Sequence, residues 1–422
     1  MPRPWLAGVF AVSALYALGV VLVSSDNVHQ TWGTIAAFGY ALATAAALVP
    51  GRVAAKALLR RTVGTDLAVV LALCGGLIVP LCWLIAHGLR QPEVMVIARS
   101  GTSLVHHGAP YASAAALSGT TNPNAYNPYL PVMSLFGVPR ALADITLADP
   151  RIWFGLAFVA VFWLALHQAG ARDPARWTVL ITGSPVIAFT LATGGDDAPM
   201  IALLCLGFAC LWSPEGSSGD PSPGVFASQR FRPVWAGVAL GLAATMKATA
   251  WPAVAVAVAL VAATGGRRAA LRFAGTAVAV AAICAGPFLA LEPKALVDNT
   301  VKFPLGLAHV VSAAASPLPG HLIAETGSIG HTIVIVALVL AGTAIAASLV
   351  FRPPHTVPRA MSVLAGAMTL MFLLAPSTRF GYFIYPLTLM IWLSVALAGR
   401  RQPQLGGTPG PGEPVVSSRT SS

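Results

Sequence analysis

Charge is what this chain has least of: only 9% of its 422 residues are Asp, Glu, Lys or Arg, while 56% are hydrophobic. A water-soluble domain of this length could not cover so apolar an interior, so a soluble class is excluded and a polytopic membrane protein is implied. No soluble segment of domain size remains between the apolar runs. Metal-type cysteine spacing is also missing. Cys74, Cys82, Cys205, Cys210 and Cys284 all sit inside apolar runs, where they read as small core residues and not as disulfide partners or zinc ligands. There is no glycine-rich strand-to-helix fingerprint, so no nucleotide site of the doubly wound kind is expected. Repeated halves, on which many transporters are built, are not evident either.

What is present is a series of apolar runs. About 20 apolar helical residues cross a bilayer core of about 30 Å. Such runs fall near 6–23, 33–50, 67–88, 152–168, 177–192, 198–212, 234–247, 249–264, 270–291, 331–351, 360–376 and 381–398. The expected fold is therefore all-α, a transmembrane helix bundle of about 12 spans, with interfacial helices in the first large outer loop. The first run follows "MPRPW" and has no small-residue cleavage site, so it reads as a retained span. Residues 128–142, "PYLPVMSLFGVPRAL", are short and proline-broken, as an interfacial or re-entrant segment would be.

Placing the N-terminus in the cytoplasm puts 17 of the 25 Lys and Arg in inner loops and the C-terminal tail, as the positive-inside rule requires. The net charge of +11 then reports topology, and no nucleic acid partner is implied. Of the 14 acids, 9 fall on the outer side. That side carries two large loops, 89–151 and 292–330, and short turns bearing Asp196 and Asp197, Lys247 and Arg379. Residues 399–422 are rich in Gly, Pro and Ser and read as a disordered cytoplasmic tail.

The outer side holds the candidate chemistry. Glu93, directly after Pro92, should sit at the membrane surface in the first turn of a short helix. There it is either a general base for a sugar hydroxyl or an acid favoured by the helix dipole. Tyr126, Asn127 and Tyr129, in "NAYNPYLP", offer flat rings and an amide to carbohydrate, or simply shape a proline-fixed loop. Lys247 lies between two apolar runs, at a depth where an unpaired lysine costs about 2.5–3.5 kcal/mol, so it seeks an anionic partner or snorkels outward. Arg379, in "PSTRFGYFIYP", suits a phosphate through its guanidinium fork, or anchors the interface together with Tyr382 and Tyr385. Lys302 and His321 add a cation and an imidazole to the same side. The adjacent Asp196 and Asp197 suit a helix N-terminus, with one of them left to support the site. No full oxygen-ligand set accompanies them, so no metal is expected. A candidate base, phosphate-suited cations and an aromatic loop on one side favour chemistry on a phosphorylated lipid.

The segments "PEVMVIARSG", "HHGAPY", "YNPYLP", "TGGDDAP", "GLAATMKATAWP", "SPLPGH" and "PSTRFGYFIYP", in this order, resemble the polyprenyl-phosphate-dependent membrane glycosyltransferases of the C superfamily. The resemblance is to the actinobacterial family 87 branch, which includes mannosyl- and arabinofuranosyltransferases. It spans 67–398 and leaves 1–66 as two accessory spans with a cytoplasmic loop. It implies an inverting glycosyltransferase in the cytoplasmic membrane that needs no cofactor. Such an enzyme would move a sugar from a polyprenyl-phosphate donor to a glycan or glycolipid acceptor on the extracytoplasmic side. Glu93 matches the position of the family's base, where Asp is usual. A polyprenyl phosphate leaves as a stable anion, so one carboxylate would suffice, with Lys247, Arg379 and Lys302 receiving the phosphate. The two alternatives are a lipid-linked substrate transporter or flippase, with charges lining a path through the bundle, and a non-catalytic scaffold of the same fold.

Overall fold

The computed structural model of the protein describes residues 3–49, 63–212, 230–308, 310 and 314–400. The basic loop at 51–61, most of the Pro/Gly/Ser-rich loop at 213–233 and the tail from 401 onward lie outside these residues, and with them the disorder expected of the tail. Among the described residues the protein is an all-α polytopic bundle with no strand.

The chain opens with a hairpin of α1 (Arg3–Val23) and α2 (Asn27–Leu48). Asp26 caps α2 by accepting from the Val28 N–H at 2.8 Å. The third span is α3 (Val63–Leu73) and α4 (Val79–Ala86), joined by a π-helical turn at Cys74–Ile78. Gly39 of α2 meets Gly75 of that turn backbone to backbone, with no room for a Cβ on either. Two buried side chains of α2 add hydrogen bonds: the Trp32 indole donates to Gly76 O of the same turn at 2.9 Å, and the Tyr40 hydroxyl donates to Gly183 O at 2.8 Å. The N-terminal hairpin is thus packed into the bundle.

The first of the two large loops expected on the outer side forms short helices, α5 (Pro92–His107), α6 (Ala114–Leu117) and α7 (Val138–Leu142), with 3-10 turns at Pro123–Ala125 and Pro131–Gly137. None is long enough to span. The chain continues through α8 (Pro150–Gln168), α9 (Pro174–Thr182) and α10 (Pro185–Thr193). Pro185, which lacks an N–H, begins α10 after a bend of 59°. Then follow α11 (Asp197–Leu211), α12 (Arg232–Ala244) and α13 (Trp251–Leu291). In α11, 13 of 15 residues are buried, which makes this evenly apolar helix the centre of the bundle.

The second large loop expected on the outer side carries α14 (Pro293–Val297), a π-helical turn at Asp298–Lys302 and α15 (Pro319–Ala324). The last helices are α16 (Ser328–Phe351), α17 (Val357–Leu374) and α18 (Ile384–Arg400). Gly330 and Val334 are the buried residues of α16, an apolar helix whose other faces suit lipid.

Eight described helices are long and apolar enough to cross a membrane, or nine with the bent α9–α10 pair as one span. The expected count of about 12 differs for local reasons. The runs at 198–212 and 234–247 form helices of 15 and 13 residues, short of a crossing. Those at 249–264 and 270–291 are two helices that meet across a kink at Gly266, φ 72°, and the eight count them together as one.

Candidate active site

Three turns and one helix start converge at one end of the bundle. Gln91 is the N-cap residue of α5 and Pro92 its first helical residue, which puts Glu93 in the first turn, where the helix dipole favours a carboxylate. The Gln91 N–H donates to Thr193 O at 2.9 Å. The following turn, from Gly194 to Asp197, therefore lies against α5. Gly194 has φ 119°, and a Cβ there would collide with the Val94 side chain next to Glu93. Only glycine permits both the left-handed backbone and this approach.

The turn delivers Asp196 and Asp197 to Lys247. The lysine ammonium is 2.8 Å from Asp196 Oδ1 and is also paired with Asp197 Oδ1. The Tyr385 hydroxyl donates to that Asp197 oxygen at 2.5 Å and lies 2.9 Å from the Thr249 hydroxyl. Below the ammonium is the Tyr129 ring, its centroid 5.1 Å away, within cation–π range. Tyr129 is placed there by the docking of its loop on the end of α12: Leu130 N–H donates to Met246 O at 2.9 Å and Val132 N–H to Thr245 O at 3.1 Å. Although Asp196 occupies the N-cap position of α11, its side chain makes no capping bond. Its carboxylate is turned to Lys247 instead.

Glu93 pairs through Oε1 with Arg379. Arg379 is held from both sides by the second outer loop. Thr378 N–H donates to Ala314 O at 2.9 Å, and Phe380 N–H to Ser316 Oγ at 3.1 Å. His321 fastens the same segment, with Nδ1 2.8 Å from Pro376 O and Nε2 3.1 Å from Glu325 Oε1. Tyr382 lies in the field of Lys247, Asp197, Arg379 and Asp196 together, so the two ion clusters share one site. Two buried oxygens in it, Glu93 Oε2 and Asp196 Oδ2, have no hydrogen-bond partner.

The electrostatics follow from burial. Desolvation opposes the charge on Lys247, but Asp196 and Asp197 outweigh it and hold the ammonium well above the ordinary lysine range. One ammonium does not balance two buried carboxylates. Burial, opposed by Lys247 and reinforced by Asp197, pushes the Asp196 carboxyl up to about 6. Arg379 loses solvation too, yet Glu93 keeps it above its usual range.

The other candidates are placed differently. Lys302 makes a local pair with Asp298, 2.6 Å away and four residues back, and is half exposed. Tyr126 stacks on Phe303, with centroids 4.6 Å apart. Asn127 is buried, and its side chain is engaged: Nδ2 donates to Pro110 O at 3.1 Å and Oδ1 accepts from the Tyr129 N–H at 3.2 Å. The Asn127 N–H donates in turn to Asn299 Oδ1 at 2.8 Å. These two residues join the outer loops to each other.

Residues 127–376, more than half of the chain, match the profile of glycosyltransferase family 87. The chain belongs to glycosyltransferase family 87. No curated protein and no solved structure matches it. The family 87 region contains Asp196, Asp197, Lys247, Lys302 and His321, whereas Glu93 precedes it and Arg379 follows it by three residues.

The family 87 site also depends on a residue the sequence reading passes over. Arg151 is 1% exposed, at the start of α8. Its guanidinium forks onto Asp149, with Nε and Nη2 each 2.9 Å from a carboxylate oxygen. Its Nη1 donates to Leu89 O at 3.0 Å and Ala192 O at 3.1 Å, the carbonyls just ahead of the Glu93 helix and the Asp196 turn. A cation in the first turn of an apolar helix opposes the dipole, and that conflict was the available signal.

Two outcomes are expected. Arg151→Ala leaves Asp149 buried without its partner and should cost about 3–5 kcal/mol, seen as a lowered melting temperature with Arg151→Lys recovering part of it. The second concerns pH. Because the folded Asp196 pKa of about 6 exceeds the ordinary 3.8, the folded state alone holds the proton between those values. Stability is then greatest at the acid end of this window and falls as pH rises through it. Thermal unfolding in detergent at a series of pH values should show this slope in the wild type and a flatter one in Asp196→Asn.

Proposed function

We propose that this family 87 chain is an inverting glycosyltransferase of the cytoplasmic membrane. It takes a sugar from a polyprenyl-phosphate donor and passes it to a hydroxyl of a glycan or glycolipid on the extracytoplasmic side. The observation that carries the reading is the Glu93–Arg379 pair, in which a buried carboxylate oxygen without a partner stands beside a guanidinium at one end of the bundle. The sidedness rests on the basic residues of the opposite loops.

In this reading Glu93 Oε2 receives the proton of the acceptor hydroxyl as its oxygen attacks the anomeric carbon. The bond from that carbon to the phosphate oxygen breaks on the opposite face, and the electron pair leaves with the polyprenyl phosphate. One base is enough, because the phosphate departs as an anion and needs no protonation. Arg379 is the cation best suited to that phosphate, since a single carboxylate shares it and its side chain is 35% exposed. Lys302, half exposed and held by Asp298 alone, comes second. Lys247 is already balanced twice over, and we assign it first to holding Asp196 and Asp197, whose free oxygen can orient sugar hydroxyls. Tyr129 forms the floor beside them.

Glu93→Gln keeps the size of the side chain and removes the base. Purified in nanodiscs with polyprenyl-phosphate hexoses and pentofuranoses, it should lose at least about 10²-fold in turnover while remaining in the membrane fraction. Full turnover in that variant would sink the assignment of Glu93.

A further inference from the structure

The hairpin of α1 and α2 lies outside the matched family region, yet its outer end reaches the site. His29 is in the first turn of α2. Its Nδ1 is 3.0 Å from the Ser24 hydroxyl, and its Nε2 is 2.6 Å from the side-chain amide nitrogen of Gln91. With the Gln91 amide donating, Nε2 accepts, and Nδ1 carries the hydrogen that Ser24 receives. The ring stands edge-on to Phe189 of α10 at a centroid distance of 5.0 Å, and Asp26 Oδ2 is 4.0 Å from Nε2. Glu93 and Arg379 are near enough for their charges to act on it.

Gln91 is where these parts meet. It precedes Glu93 by two residues, its N–H is fastened to Thr193 O, and its side chain reaches His29 and makes no cap for its own helix. A helix start held through both backbone and side chain leaves Glu93 little freedom to turn. The hairpin that carries His29 is itself locked into the bundle by Trp32 and Tyr40.

We propose that His29 is a positioning residue of the site, which acts through Gln91 to fix the first turn of α5 and the aim of Glu93. The inference rests on the reading of Glu93 as the base. It gives the N-terminal hairpin a part in the reaction beyond insertion in the membrane. A shift of about 1 Å in a reacting group costs on the order of 10²-fold in rate, so a hydrogen bond two residues away is sufficient leverage.

The test uses the full chain in lipid nanodiscs, with His29→Ala and His29→Gln and two separate readouts. The first is labelling of Glu93 by a hydrophobic carbodiimide, followed by peptide mass spectrometry, which needs no substrate. His29→Ala should change Glu93 labelling several-fold and leave the buried Asp149 unchanged. His29→Gln, whose amide still bonds Gln91, should restore it. The second readout is transfer from polyprenyl-phosphate sugars, where His29→Ala should lower kcat by about tenfold with the donor KM unchanged.

Unchanged Glu93 labelling in the folded His29→Ala protein, or an equal change at Asp149, overturns the positioning role. A wild type that transfers no sugar from any of these donors contradicts the base reading instead, and the labelling still decides whether His29 fixes Glu93.

Discussion

A single lysine ammonium shared by two adjacent buried carboxylates organises one end of this bundle. Lys247, Asp196 and Asp197 are 13%, 2% and 10% exposed in their side chains. Taking such groups out of water costs several kcal/mol per ion, recovered only by close pairing and further hydrogen bonds. Here the recovery comes from four elements at once: the turn before α11, the turn after α12, Tyr385 of α18 and Tyr129 of the first outer loop. The buried charges thus tie together four elements at one end of the bundle, in a chain whose apolar spans alone specify little about relative position.

The second pair, Glu93 with Arg379, is more open and more evenly balanced, one charge to one charge. That division suits a site with a rigid part and a reactive part. Asp196, Asp197 and Lys247 form the fixed wall. In the proposed reaction Glu93 and Arg379, joined across 286 residues of sequence, exchange partners with a substrate that brings an anion and a hydroxyl. Arg151 links the two parts by binding the carbonyls that precede each of them, and Gln91 links them a second time through Thr193.

Much of this was legible because charge is so scarce. In a chain with 9% charged residues, every acid or base between apolar runs stands out. The positive-inside rule then gathers Glu93, Asp196, Asp197, Lys247 and Arg379 on one side before any helix is drawn. What composition does not give is pairing. Lys247 was expected to seek an anion, and its partners turned out to be the neighbouring carboxylates already in the chain. Tyr126 and Asn127 read equally well as a sugar platform or a loop clamp, and the side chain of Asn127 is engaged within the protein. His29 leaves no pattern in the sequence because its partner is a neutral amide, whereas Arg151 left only the mark of a cation in the first turn of an apolar helix. The span count differed because hydropathy does not see the shortness of α11 and α12.

The central claim is that this site makes a glycosidic bond, with inversion, from a polyprenyl-phosphate sugar. The most direct measurement is the anomeric configuration of the product formed by the purified chain in nanodiscs, with the donor of known anomer and the product analysed by mass spectrometry and NMR coupling constants. The account predicts a new glycosidic bond of opposite anomeric configuration to the donor. A product that keeps the donor's configuration, or lipid-linked sugar carried across vesicles with no bond formed, would contradict it.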